Sequence, residues 1–149
     1  VLELRDGLKF PGMRVLQFAF GDESAENPHK PYAFVRNCVV YTGTHDNNTS
    51  AGWFADERTR AEGEKALEYM GAAGAGNAVE ALIRLALSSV ADTAILPMQD
   101  VLGLGSEARM NVPSTVGNNW MWRMSGDALT PELARRFRQL NHTYGRGIK

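Results

Sequence analysis

Apolar positions along the chain fall into three short runs and two amphipathic stripes. Met13 to Phe20 is mostly apolar, follows Pro11-Gly12, and predicts a buried strand. Gly21 to Tyr32 is polar and carries Asn27-Pro28 and Pro31, which predicts a loop. Cys38 to Thr42 is apolar and β-branched, a second buried strand. It runs directly into a polar cluster, Gly43-Thr44-His45-Asp46-Asn47-Asn48-Thr49. A helix is expected over about Asp56 to Met70, with Asp56 as its N-cap, followed by an Ala/Gly break over Gly71 to Gly76. Val79, Leu82, Ile83, Ala86, Leu87 and Val90 recur at helical spacing and mark one face of a stronger helix, which Asp92 ends. Thr93 to Met98 predicts a third buried strand, with Pro97 at its end because proline cannot donate to a ladder. Gly103 to Trp122 keeps no period and is expected as a long loop containing a short helical turn; its Trp and Met content argues against disorder. Thr130-Pro131 forms an N-cap/N1 pair. It opens a helix to about Thr143, with Leu133, Ala134, Phe137 and Leu140 on its inner face.

Buried strands alternating with helices imply parallel βαβ units and an α/β fold. Three strands do not close a barrel, and a complete (β/α)8 barrel takes about 250 residues. Periodicity alone therefore describes an α/β piece of something larger. No internal repeat and no linker divides residues 1–149, so one domain portion is expected.

Composition narrows the chemistry. The formal net charge is -1 with both signs mixed along the chain, so no basic stripe points to nucleic acid. No apolar run approaches the roughly 20 residues of a membrane span. Cys38 is the single cysteine; it cannot close an internal disulfide, suits a reducing compartment, and fits a small buried hydrophobe better than a catalytic thiol. His29, His45 and His142 are scattered and no cysteine pair offers zinc spacing, so no metal is expected. Gly103 to Ala108 imitates a dinucleotide fingerprint, but Asn111 and Pro113 follow where an apolar helix should run, so no cofactor is expected. The glycosylation sequons at Asn47, Asn48 and Asn141 are read as chance matches. The chain starts at Val1 without a signal-like segment or a methionine, which suggests a start within a longer protein.

The Gly43 to Thr49 cluster is the most informative feature. A buried strand ending in His-Asp-Asn puts polar groups at its carboxyl end, where α/β folds build their sites. An Asp there can stabilise a developing cation, and the adjacent His can donate to sugar hydroxyls. The alternative is a turn capped by its own Asp and Asn side chains. Trp53, Trp120 and Trp122 suit a core or an interface; Trp120 or Trp122 could also stack on the apolar C–H face of a sugar ring.

Five segments carry a resemblance: FPGMRVLQFAF (10–20), VVYTGTHDN (39–47), IRLALSSVAD (83–92), PMQDVLGLGSEARMN (97–111) and NWMWR (119–123). In order and spacing they resemble the 4-alpha-glucanotransferases of glycoside hydrolase family 77. The resemblance implies a (β/α)8 TIM barrel of which this chain is the C-terminal part, about the last three βα units. It implies retaining transfer of α-1,4-glucan segments to another maltooligosaccharide or to glucose. Retention needs two carboxyl groups about 5 Å apart and a covalent intermediate, with no cofactor. By the resemblance, Asp46 is the third carboxylate, supporting an oxocarbenium-like transition state, and His45 binds sugar. Asn111 sits in a loop that contacts glucan, Arg109 holds that loop, and Asp22 binds acceptor sugar.

The nucleophile and the acid/base are expected upstream of Phe10, and Glu3 is too close to that segment to serve. The chain by itself is thus expected to be inactive, with the missing N-terminal part as its partner. A non-catalytic glucan-binding or structural barrel piece is the alternative. The expected setting is the cytoplasm, or a plastid in a plant or alga. Two departures stand out: Asn48 where Asp is usual, and Val112-Pro113-Ser114 for the usual Thr-Pro-Gly.

Overall fold

Three short strands lie side by side in chain order, all parallel: β1 (Gly12–Val15), β2 (Cys38–Tyr41) and β3 (Thr93–Ile95). The computed structural model describes residues 2–72 and 78–147. Helix α1 (Leu2–Gly7) precedes the sheet; α2 (Ser50–Ala55), α3 (Arg60–Met70) and α4 (Ala78–Ser88) form the crossover from β2 to β3. A single turn, α5 (Met98–Val101), follows β3, and α6 (Pro131–Thr143) closes the described chain. Parallel neighbours need such crossovers, because the chain must return to the same end of the sheet.

The register sets Met13 beside Val39 beside Thr93, and Val15 beside Tyr41 beside Ile95. Successive side chains alternate between faces, so the intervening row of Arg14, Val40 and Ala94 points the other way. Val40 is fully buried in a cluster with Leu16, Phe20, Trp53, Leu82 and Ala86, with Ala94 packed against it. Ile83, Leu87 and Leu140 form a second cluster that seats α6 on α4. Each fully buried aliphatic side chain contributes about 1.5–3 kcal/mol.

The opposite face is covered unevenly. Val15 is buried, but Met13 is 54% exposed and Ile95 45% exposed. The third strand was expected to be buried, and it is not. A parallel strand reads as a continuous apolar run when both faces are covered; among the described residues, helices cover one.

Several boundaries also move. The first strand ends at Val15, and the chain then tightens into a 3-10 turn over Leu16–Ala19. The apolar run reports burial of Leu16 and Ala19 rather than an extended backbone. Asp56 was expected to open one long helix. It instead closes α2 and accepts from the Arg58 amide at 2.9 Å, capping a 3-10 turn over Glu57–Thr59 before α3 begins at Arg60. Six residues containing Gly52 are too few to show a helical period, so α2 escapes a pattern search; its cap is Thr49, whose Oγ1 accepts from Gly52 N at 3.0 Å. The cap and N1 pair of α6 is as expected, with Thr130 Oγ1 accepting from Leu133 N at 3.2 Å. The strand at Thr93 stops at Ile95, and Pro97 becomes the N-cap residue of α5.

Gly71 ends α3 in the left-handed region at φ 61°, a conformation open to glycine at little steric cost. The rest of the expected Ala/Gly break, 73–76, lies outside the described residues. The loop after α5 holds the expected helical turn, Ser106–Ala108. Cys38 is buried, and burial raises its thiol pKa, which suits an inert core residue. No helix among the described residues is long and apolar enough to cross a membrane.

Candidate active site

The carboxyl end of β2 delivers Thr42 and then a tight polar loop. Gly43 opens it, and a Cβ there would lie 2.7 Å from Gln17 Nε2, so a larger residue would have to displace that amide. Gln17 Nε2 in turn donates to the Asn48 carbonyl at 3.1 Å. Asn47 Oδ1 accepts from the Thr44 amide at 2.9 Å and from Thr44 Oγ1 at 2.8 Å, which closes the turn. The capped-turn alternative is therefore correct for Asn47, but it leaves His45 and Asp46 unused as caps. Their side chains stand half-exposed at the tip, with His45 Nε2 at 3.3 Å from Asp46 Oδ1.

The loop after α5 comes back over this tip. Asn111 Nδ2 donates to Asp46 Oδ1 at 2.6 Å, and the Asn111 amide donates to the His45 carbonyl at 3.1 Å. Arg109 spans both loops: Nη2 donates to the Asp46 carbonyl at 2.6 Å and Nε to the Asn111 carbonyl at 2.8 Å. The Trp120 ring leans on the His45 imidazole, centroids 5.0 Å apart at 39°. Trp120 holds φ at 64° and donates its amide to the Met110 carbonyl at 2.7 Å. A bulky residue rarely adopts that backbone, so the surrounding loop is specified closely enough to impose it.

Two clefts flank Asp46 and His45. The smaller, about 150 Å³, is lined by Gly43, His45, Asn47, Met110 and Trp120. The wider, about 440 Å³, is lined by Phe18, Asp46, Trp53, Arg58, Glu62 and Arg109. In the wider cleft Asp56 is held at a pKa of about 2, chiefly by the hydrogen bonds from Arg58, with Arg109 adding a smaller attraction. Polar side chains beside exposed aromatic rings suit a hydroxylated ligand with apolar faces. Among the described residues no group of three or more His, Cys, Asp or Glu side chains could hold a metal ion.

His45, Asp46, Arg109, Asn111 and Trp120 are thus brought together from positions 45 to 120. Asp22 is not among them. Its Oδ1 accepts from the Ser24 amide at 3.0 Å, and it lines a separate cleft with Lys30, Tyr32, Lys65 and Tyr69.

A 4-alpha-glucanotransferase family model matches residues 1–130. The chain belongs to the 4-alpha-glucanotransferase family. Over 145 residues it is 47% identical to a 4-alpha-glucanotransferase of Clostridium butyricum, a match covering 97% of this chain and 30% of the relative. The chloroplastic/amyloplastic 4-alpha-glucanotransferase of Solanum tuberosum is 49% identical over 150 residues, 98% of this chain and 26% of that protein. The chain thus spans under a third of the length of these curated relatives. Among solved structures, amylomaltase from Streptococcus agalactiae in complex with acarbose superposes with a TM-score of 0.87 at 34% identity, covering 99% of this chain and 30% of that one. The α/β fold with its small parallel sheet matches that amylomaltase.

Sequence reasoning passed over two residues that build this candidate site, Gln17 and Asp100. Gln17 acts through a single hydrogen bond to backbone, and Asp100 lies buried beneath the loop. The signals available were a glutamine in an apolar run and a Gln-Asp pair directly before an irregular stretch. Neither is distinctive without the partner atoms.

Proposed function

We propose that the longer protein to which this chain belongs is a retaining 4-alpha-glucanotransferase, moving α-1,4-glucan segments between maltooligosaccharides or to glucose. This chain would form the last three or so βα units of a single (β/α)8 barrel, with no separate second domain. The half-exposed Met13 and Ile95 on one sheet face support that reading, since a barrel interior is filled by inward side chains from all its strands. The setting is the cytoplasm, or the plastid in a plant, as for the chloroplastic/amyloplastic relative of Solanum tuberosum.

The observation that carries the proposal is the Asp46 carboxylate, held on one oxygen by Asn111 at the carboxyl end of β2. Among the described residues its second oxygen has no hydrogen-bond donor. A carboxylate fixed this way presents negative charge to an oxocarbenium-like centre and accepts from sugar hydroxyls on its free oxygen. Such preorganised charge costs no reorganisation as the cation develops. His45 binds a sugar hydroxyl, Trp120 stacks on a ring, and Arg109 with Asn111 keeps the second loop in place. Asp22 serves an acceptor sugar farther along. The nucleophile and the acid/base, about 5 Å apart in a retaining enzyme, come from the part of the barrel preceding this chain.

Asp46→Ala in the full-length protein is expected to lower maltotriose disproportionation by at least about a thousandfold with the fold intact. The isolated chain is expected to show no turnover. Near-normal transfer by either one overturns the reading.

A further inference from the structure

A buried carboxylate sits directly beneath the loop that carries Asp46. Asp100, in α5, is 2% exposed. Its Oδ2 accepts from Thr42 Oγ1 at 2.5 Å and from Ser50 Oγ at 2.7 Å, and its Oδ1 accepts from the Ser50 amide at 2.7 Å. All three donors are neutral, and no ion pair among the described residues includes Asp100. Burying a carboxylate costs free energy that hydrogen bonds from neutral donors only partly offset. The arrangement is therefore better explained by what the carboxylate connects than by the stability it adds.

Thr42 and Ser50 are the two residues that bracket the segment from Gly43 to Thr49. Thr42 follows the last residue of β2, and Ser50 is the first residue of α2. One carboxylate on a third element thus grips both ends of the segment that holds His45 and Asp46 at its tip. The neighbouring Gln99, also buried, donates Nε2 to the Ala108 carbonyl at 3.3 Å, immediately before Arg109. Asn48 Nδ2 donates to Ser106 Oγ at 2.8 Å and ties the same two loops a second time. The single turn of α5 is the point from which both halves of the site are held.

We propose that Asp100 is a positioning residue that sets the placement of the Asp46 carboxylate by clamping Thr42 and Ser50. The proposal rests on the reading of Asp46 given above. Among the described residues Asp100 makes no hydrogen bond to Asp46; it borders the floor of the smaller cleft but is almost wholly buried, and it acts through the two ends of the loop. Misplacement of a reacting group by about 1 Å costs on the order of 100-fold in rate, so a loosened clamp is read in turnover before it is read in binding.

The test uses the full-length enzyme with maltotriose as substrate. Asp100→Asn is expected to lower kcat roughly 10- to 100-fold while KM moves by less than about threefold. Thr42→Val, which removes one donor without changing shape, should shift kcat in the same direction by a smaller factor, and Thr42→Ser, which keeps the hydroxyl, should restore it. That pair carries the test if Asp100→Asn does not fold. In an Asp46→Asn background, assayed with an activated glycosyl fluoride donor, Asp100→Asn should add no further loss, because both changes act through one carboxylate. An equal fold-loss from Asp100→Asn in both backgrounds, or a change confined to KM, overturns the positioning role and leaves the reading of Asp46 standing. Full activity of Asp46→Asn itself overturns that reading and the inference with it.

Discussion

Asn111 holds Asp46 and its neighbour at once: its side-chain amide donates to Asp46 Oδ1 at 2.6 Å, and its backbone amide to the His45 carbonyl at 3.1 Å. The two residues are 65 positions apart in the chain and come from loops after different strands. Whatever moves the second loop therefore moves the carboxylate of the first.

The first expected outcome concerns that bond. A hydrogen bond to a charged group contributes about 1.5–3 kcal/mol, so Asn111→Ala should lower kcat/KM for maltotriose transfer by roughly 10- to 150-fold. Asn111→Asp should be worse, because it sets a second carboxylate against Asp46 in place of a donor. Steady-state kinetics of both variants in the full-length protein check this, and an Asn111→Asp enzyme with normal kcat/KM would count against the site.

Trp120 offers a second outcome through its ring. Half of it is exposed and it leans on His45. Trp120→Ala should raise KM for maltooligosaccharides several-fold, whereas Trp120→Phe, which keeps an aromatic face, should retain most of the affinity. Adding maltoheptaose should also quench or shift tryptophan emission in the parent protein, and the change should be absent in Trp120→Phe. Equal KM values across all three proteins would remove Trp120 from the sugar contacts.

His29 carries a pH dependence. Its Nδ1 accepts from the Val15 amide at 3.0 Å, which only the unprotonated nitrogen can do. Its pKa is lowered in the folded protein, first by burial and then by the nearby Arg14. The unfolded chain thus binds the proton more readily than the folded one. The stabilisation is present above the ordinary histidine pKa of about 6.5 and is lost as pH falls through the lower folded value. Hydrogen exchange of the segment containing Val15, corrected for intrinsic rates, should speed up on acidification in that window. Loss of protection should be absent in His29→Gln, whose protection no longer depends on this titration. An unchanged pH response in His29→Gln would assign the effect elsewhere.

Arg146 predicts a change in stability. Its guanidinium donates to the carbonyls of Leu87, Ala91 and Ser89 at 2.9, 2.5 and 2.8 Å, collecting the acceptors left open where α4 ends. Arg146→Ala should cost about 1.5–3 kcal/mol. Arg146→Lys should recover only part, since one ammonium cannot address three carbonyls spread over a fork. Urea unfolding monitored at α6 checks it; a wild-type midpoint for Arg146→Ala would refute the cap.

Much of this was legible along the chain, and the reason differs by feature. The stripe from Val79 to Leu87 and the Thr130-Pro131 start are local: a period and a cap depend on residues within one or two turns. The ordered segments from Phe10 to Arg123 carried the family, and they brought His45, Asp46, Arg109 and Asn111 forward by resemblance, while Trp120 came forward through the chemistry of its ring. The breaks at Val15 and Asp56 were not legible. An apolar run has the same signature whether the backbone stays extended or tightens into a 3-10 turn, and helix α2 is shorter than the window that reveals a period.

What the sequence by itself determined is the order in which strands and helices alternate and the polar cluster at the end of the second strand. Those properties follow from side-chain chemistry at neighbouring positions. Only the tertiary structure decided that Asp46 is held by Asn111 and Arg109, that Asp22 stands apart, and that Asp100 bridges Thr42 and Ser50. The contacts of Asp46 and Asp100 join atoms within about 3 Å of one another but tens of residues apart in the chain, and nothing local encodes which distant donor a carboxylate will meet.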